Sequence, residues 1–255
     1  MFTRLFIILV VMPLFFSCNT TDKKVEQTAT SEIENDKYSN LDTPDIVAGR
    51  YNVAFLIMDG VYNTELTAPF DIFQHTIFRE NIKAMNVFTV AKSKAPVKTF
   101  EGMYILPDFD YLQDQLPIID ILVIPSAEHH LDSDLEDEEM LNFVKAVDKK
   151  ATFMTSHCDG AFVLAETGLL NGKVSTTFPS DIDTMRDRYP ELDIRKDVLF
   201  VHDGKYITSA GGAKSFEAAL YLCEYLYGKE IAESLAAGLV INWKLDDVPH
   251  EVIEQ

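Results

Sequence analysis

ATFMTSHCDGAFVLAETGLL, residues 151–170, passes from an apolar strand-like run through Ser156, His157, Cys158, Asp159 and Gly160 into a helical pattern. A strand that turns this abruptly into a helix needs small residues beside the turn, because bulk there would strike the neighbouring strand or helix. Ser156 and Gly160 fit that need, and Cys158 holds the position of a nucleophile. A thiol at a helix N-terminus faces unpaired N–H groups, which favour thiolate and are expected to lower its pKa. The N–H groups after the turn, beginning at Asp159 and Gly160, are also candidate oxyanion donors. On spacing alone, a buried thiol in a tight connection is the better reading.

Outward from this stretch, short apolar runs alternate with helical patterns. YNVAFLI (51–57) precedes a helix over about 66–79, then NVFTVA (86–91), IIDILVIP (118–125) and a helix near 134–149. After ATFMTS come a helix at about 160–168, VLFVHD (198–203), YITSA (206–210) and helices near 214–227 and 229–239. Runs such as IIDILVI alternate too little for a sheet with one wet face. The pattern predicts one doubly wound α/β domain over 50–255, with a mostly parallel sheet and helices on both faces. In such a fold ligands bind beyond the carboxyl ends of the strands, which directs attention to the loops 59–66, 126–132 and 156–160.

The ends and the bulk composition narrow the function classes. MFTRLFIILVVMPLFFSC has one early positive charge, Arg4, an apolar stretch, the small Ser17 and then Cys18. Residues 1–17 read as a signal peptide too short for an ordinary membrane span, and Cys18 after a small residue resembles a bacterial lipobox whose cysteine is lipidated. A plain secretory signal or an uncleaved anchor shares this grammar. Residues 18–49 are polar and lack sustained periodicity, as a flexible tether does. The expected location is the bacterial cell envelope, extracytoplasmic, with the membrane as partner through the lipid. With 41 acidic and 22 basic side chains the formal charge is −19, and removal of residues 1–17 takes Arg4 and leaves −20. Such a charge, without a basic stripe, excludes nucleic acid as a natural partner.

Three cysteines, far apart, make neither a disulfide framework nor a paired zinc site. Cys223 lies on the helical stripe Phe216, Ala219, Leu220, Leu226, Tyr227 and reads as core. The acidic run DSDLEDEE (132–139) lacks EF-hand spacing and reads as a solvated helix start. Gly211 and Gly212 follow a strand without a GxGxxG or P-loop, so no nucleotide cofactor is expected, and their role is to let the chain pass close to Cys158. Neither metal nor cofactor is called for.

CDGAFVLAETGLLNG (158–172), KVSTT (173–177) and YITSAGGAKSFEAAL (206–220) together resemble the ThiJ/PfpI superfamily, which includes isocyanide hydratases, deglycase-like proteins and amidase-like domains of AraC-type regulators. The resemblance covers about 51–240. It implies a flavodoxin-like fold with Cys158 on the nucleophile turn, and a homodimer. It also implies an acidic partner from the first βα loop, and in DGVYNTELTAPFDIF that position is Glu65. Without the resemblance Glu65 reads as an exposed residue near a helix start. A carboxyl in an apolar pocket beside a thiolate is expected to have a raised pKa and to shuttle protons.

Departures accompany the likeness. Phe178 stands where relatives have the histidine of T-T-H, and Ser126 and Ala127 replace a glycine pair whose backbone helps form the oxyanion pocket. His157 precedes the cysteine rather than following it, and Asp159, a good N-cap residue, follows it. His129 and His130 are candidates to replace the missing histidine, although adjacent loop histidines usually face solvent. Three functions follow from these residues. The first is a cofactor-independent hydratase or hydrolase acting on a small electrophile such as an isocyanide or reactive aldehyde. Cys158 attacks, Glu65 moves the proton, and N–H groups near Asp159 and Ala127 hold the charge, with Gly160 and Gly211 shaping the pocket. The second is a redox-sensing or ligand-binding lipoprotein using the same cysteine. The third is a scaffold on a retired enzyme fold.

Overall fold

The computed structural model describes residues 43–254. The signal peptide, Cys18 and all of the tether before residue 43 lie outside the described residues. Eight strands form one sheet: β1 (Tyr51–Leu56), β2 (Met85–Ala91), β5 (Phe109–Asp110), β6 (Ile121–Ile124), β7 (Phe153–His157), β10 (Phe200–Asp203), β11 (Tyr206–Ser209) and β12 (His250–Ile253). Their order is β12-β10-β11-β7-β6-β1-β2-β5. Every pairing is parallel except the β10–β11 hairpin.

Alternation across the pleat divides the core into two layers. Val53, Phe55, Val87, Val123 and Phe153 meet helices α1 (Asn63–Gln74), α5 (Ser215–Tyr227) and α6 (Lys229–Gly238). Ala54, Leu56, Phe88, Leu122 and Met154 meet α2 (Glu138–Asp148), α3 (Gly160–Glu166) and α4 (Ile182–Arg188). The mostly parallel, doubly wound sheet read from the apolar runs is the observed one, flavodoxin-like as the resemblance implied, and Cys223 lies fully buried in the first layer.

Several boundaries differ from the periodic reading. The strand over 118–125 contracts to β6, because Ile118 is 66% exposed and the Asp120 side chain accepts from Asn52 N–H. The helix near 134–149 splits into a 3₁₀ turn, Ser133–Glu136, and α2, whose first N–H groups at Glu139 and Met140 donate to Asp137. That side-chain cap fulfils the helix-start reading of the acidic run. Two small pairings were not foreseen, β3 (Val97–Lys98) with β4 (Tyr104–Ile105), and β8 (Val174–Ser175) with β9 (Asp193–Ile194). Nor was β12, which adds a parallel edge beyond β10.

The topology places the site. β1 pairs with β2 on one side and β6 on the other, so the chain reverses direction across the sheet between β1 and β6. Loops from β1 and from β7 therefore leave on either side of β6. The β3–β4 hairpin braces the first of them: Gly60 N–H donates to Lys98 O and Phe100 N–H to Val61 O. At the other end of the strands, Val47 N–H donates to Asn86 Oδ1 and Asn86 Nδ2 donates to Val47 O.

Candidate active site

Cys158 follows directly on β7 with φ +51°, a left-handed conformation that L-residues rarely adopt. Its N–H donates to Ser209 O at 2.9 Å, extending the β7–β11 ladder by one bond before the chain turns into α3. The turn tolerates no side chain at two places. A Cβ on Gly160 would lie 2.1 Å from Ile124 O, and one on Gly211 would lie 2.4 Å from Cys158 Cβ. These contacts explain both glycines, as the sequence suggested.

Glu65, in the first turn of α1, is buried with its carboxyl between loops. Oε2 accepts from Ser126 N–H at 3.0 Å and Oε1 from Gly212 N–H at 2.9 Å. The Cys158 thiol is a further neighbour that favours the charged form of the carboxyl. Burial raises its pKa in spite of these two bonds and the thiol, so the carboxyl holds a proton above the usual range. The thiol pKa is raised as well, by burial and then by Glu65 and Asp159, against the lowering expected from the helix end. Desolvation of the buried sulfur, followed by the two nearby carboxyls, outweighs the lowering by the Asp159 N–H at the start of α3.

Asp159 supplies the second carboxyl. It occupies the N-cap position of α3, yet its side chain makes no capping bond. Instead Cys158 Sγ donates to Oδ2 at 3.6 Å, and Thr177 Oγ1 lies 3.2 Å from Oδ1. Burial, then the Asp181 charge, raises its pKa to about 6. Thr177 Oγ1 also bonds Cys158 O at 3.0 Å, fixing the turn.

The histidines do not substitute for the one absent at Phe178, which is itself 38% exposed. His157 is buried, with Nδ1 2.9 Å from Ser209 Oγ, beside Phe73, Ala218 and Leu222 on the α1 and α5 side of the sheet. His130 is buried, with Nδ1 accepting from Ala127 N–H at 3.2 Å and Nε2 3.2 Å from Met58 Sδ. Burial lowers both pKa values to about 3, so both rings are neutral. His129 is exposed and pairs with Asp132 at 3.2 Å. Ala127 thus offers no free N–H, contrary to its expected oxyanion role, because His130 has taken it.

Two side chains at the site escaped the sequence reading, Ser126 having been noted there only for its backbone. Ser126 Oγ is buried with no partner of ordinary geometry, and its electrostatic neighbour is the Cys158 sulfur. Tyr62 packs against Phe100 in a tilted pair with ring centroids 4.6 Å apart, and its pKa is raised by burial and then by the charges of Cys158, Asp159 and Glu65. Tyr62 lies within the same loop motif as Glu65, but nothing in its spacing marks it. An adjacent cleft of about 240 Å³ is lined by Met58, Lys92, Tyr111 and Asp134, and does not include Cys158, Glu65 or Asp159. Among the described residues no cluster of three His, Cys, Asp or Glu side chains is placed to hold a metal.

The sequence model of the DJ-1/PfpI family matches residues 51–225, which carry this whole constellation. The chain belongs to the DJ-1/PfpI family. It is 28% identical over 182 residues to isonitrile hydratase of Pseudomonas putida, spanning 71% of this chain and 74% of that one. Protein dj-1beta of Drosophila melanogaster is 29% identical over 147 residues, 58% of this chain and 77% of that one. In fold, a ThiJ/PfpI family protein from Pseudomonas syringae superposes with a TM-score of 0.67 at 23% identity, covering 80% of this chain and 84% of that one. The DJ-1/PfpI match stops inside α5, so α6 and the β12 edge lie beyond it.

Proposed function

We propose that the chain is a cysteine-dependent, cofactor-independent hydratase or hydrolase of small electrophiles. The observation that carries this reading is Cys158, held at φ +51° between the carboxyls of Glu65 and Asp159. A strained, non-glycine turn that presents a thiol to two acids has no structural need for the thiol. With an isocyanide, Sγ adds to the terminal carbon while a proton passes through Glu65 to that carbon, giving a thioimidate. Water then adds to the C=N carbon, and expulsion of the sulfur leaves an N-formyl amine and the restored thiol. Asp159 N–H and the Ser126 hydroxyl are the donors that face the sulfur. The likeness to isonitrile hydratase supports this substrate class.

One observation favours a second reading, a redox sensor. The two N–H groups after β6 are already engaged, Ser126 with Glu65 and Ala127 with His130, leaving a thin oxyanion pocket. The same purified full chain decides between them on a panel of isocyanides and 2-oxoaldehydes. Turnover that falls at least about a thousandfold in Cys158→Ala supports the enzyme. Absence of turnover, together with stoichiometric Cys158 sulfinate under peroxide, supports the sensor. We further propose attachment to the envelope through a lipid on Cys18, an extracytoplasmic location and a homodimeric state. The lipobox-like residues support the first two and the family resemblance supports the third.

A further inference from the structure

The ionisable groups around Cys158 are all acidic. Asp159 Oδ2 lies 3.6 Å from the sulfur, and Glu65 braces the opposite loops through Ser126 and Gly212. Asp181 acts on Asp159, Glu101 acts on Glu65, and Glu128 acts on Tyr62. The strongest charges felt by Cys158, Glu65, Asp159 and Tyr62 all come from acidic groups. The lysine that follows the Gly211–Gly212 turn, Lys214, is bonded to Glu217 at 2.6 Å. Against this background the Ser126 hydroxyl is fully buried facing the sulfur and makes no hydrogen bond of ordinary geometry, so it remains available to a ligand atom held there.

We propose that the Cys158 pocket selects electrophiles that carry an amine or another cationic group, and rejects those that carry carboxylate or phosphate. This rests on the reading of Cys158 as a nucleophile. A cation seated near Asp159 and Asp181 neutralises carboxylates that nothing else in the pocket offsets, whereas an anion adds to their repulsion. Focusing by low-dielectric walls enlarges the difference.

Three methanethiosulfonates of similar size test it: trimethylammonium-ethyl, methyl and sulfonato-ethyl. In each case the thiolate displaces methanesulfinate and forms a mixed disulfide, and modification is read at Cys158 by peptide mass spectrometry of the full chain. Rates are normalised to those of 2-mercaptoethanol with the same reagents. The cationic reagent is expected to outpace the anionic one by about tenfold or more, with the ratio falling in high salt. The ratio should shrink in Asp159→Asn and in Glu128→Gln, the latter on an exposed position that leaves the turn untouched. Equal or reversed rates with a reactive Cys158 overturn the charge selection alone. Failure of all three reagents to modify Cys158 overturns the nucleophile reading as well.

Discussion

Asp159 shows how far a single carboxyl departs from ordinary behaviour here. Its folded pKa of about 6 exceeds the unfolded value of 3.8, so between these pH values the native state keeps a proton that the unfolded chain has lost. Stability therefore falls as pH rises through that window, by about 3 kcal/mol for the full shift. Asp159→Asn is expected to raise the urea midpoint at pH near 8 and to leave it unchanged at pH near 4. A lower midpoint in the variant at high pH would show instead that the carboxylate is stabilised. His130 and His157 show what a sequence conceals at this scale. Two adjacent histidines give no sign that one ring is exposed and paired with Asp132 while the next is buried against Met58. The occupation of Ala127 N–H by His130 was illegible for the same reason: it depends on a ring orientation set by packing.

At the scale of elements, the turn after β7 tests the geometry most directly. Gly211→Ala must place a methyl group against Cys158 Cβ at a residue whose φ is +74°, so both sterics and backbone conformation oppose it. The expected cost is about 3 kcal/mol in chemical denaturation. Alkylation of Cys158 should slow in parallel, and a variant as stable and as reactive as the parent would contradict the close approach. The turn itself was legible because Gly160, Cys158 and the flanking β and α patterns are local. The long apolar strands and the helices α1, α3, α5 and α6 were legible for the same reason, whereas the seven-residue α4 (Ile182–Arg188) was not foreseen. β3, β4, β5, β8 and β9 were not, since pairings of two residues carry no period and exist only because a partner lies alongside. Helix α2 began later than its pattern because Asp137 offers its N–H groups a cap.

The whole molecule joins a residue from the first loop to one from the seventh strand because β6 lies between β1 and β7. The DJ-1/PfpI fold makes that conjunction, and no local pattern reveals it. The far edge of the sheet depends on β12, where His250 stacks on Phe200 at 4.9 Å and its strand covers β10. Deleting residues 249–255 bares the β10 edge, and light scattering on warming should detect association at a lower temperature than for the full chain. Association at the same temperature would show that β10 needs no cover. The clamp between Val47 and Asn86 gives the molecule a polarity of another kind. It holds the incoming chain at the amino ends of β1 and β2, about 20 Å of strand from the carboxyl ends where Cys158 opens. A bead or a fused partner joined directly at Val47 therefore lies at the amino ends of the strands. Immobilised directly at that end, the molecule turns toward solution the opposite end of its sheet, beneath which the buried Cys158 sulfur lies.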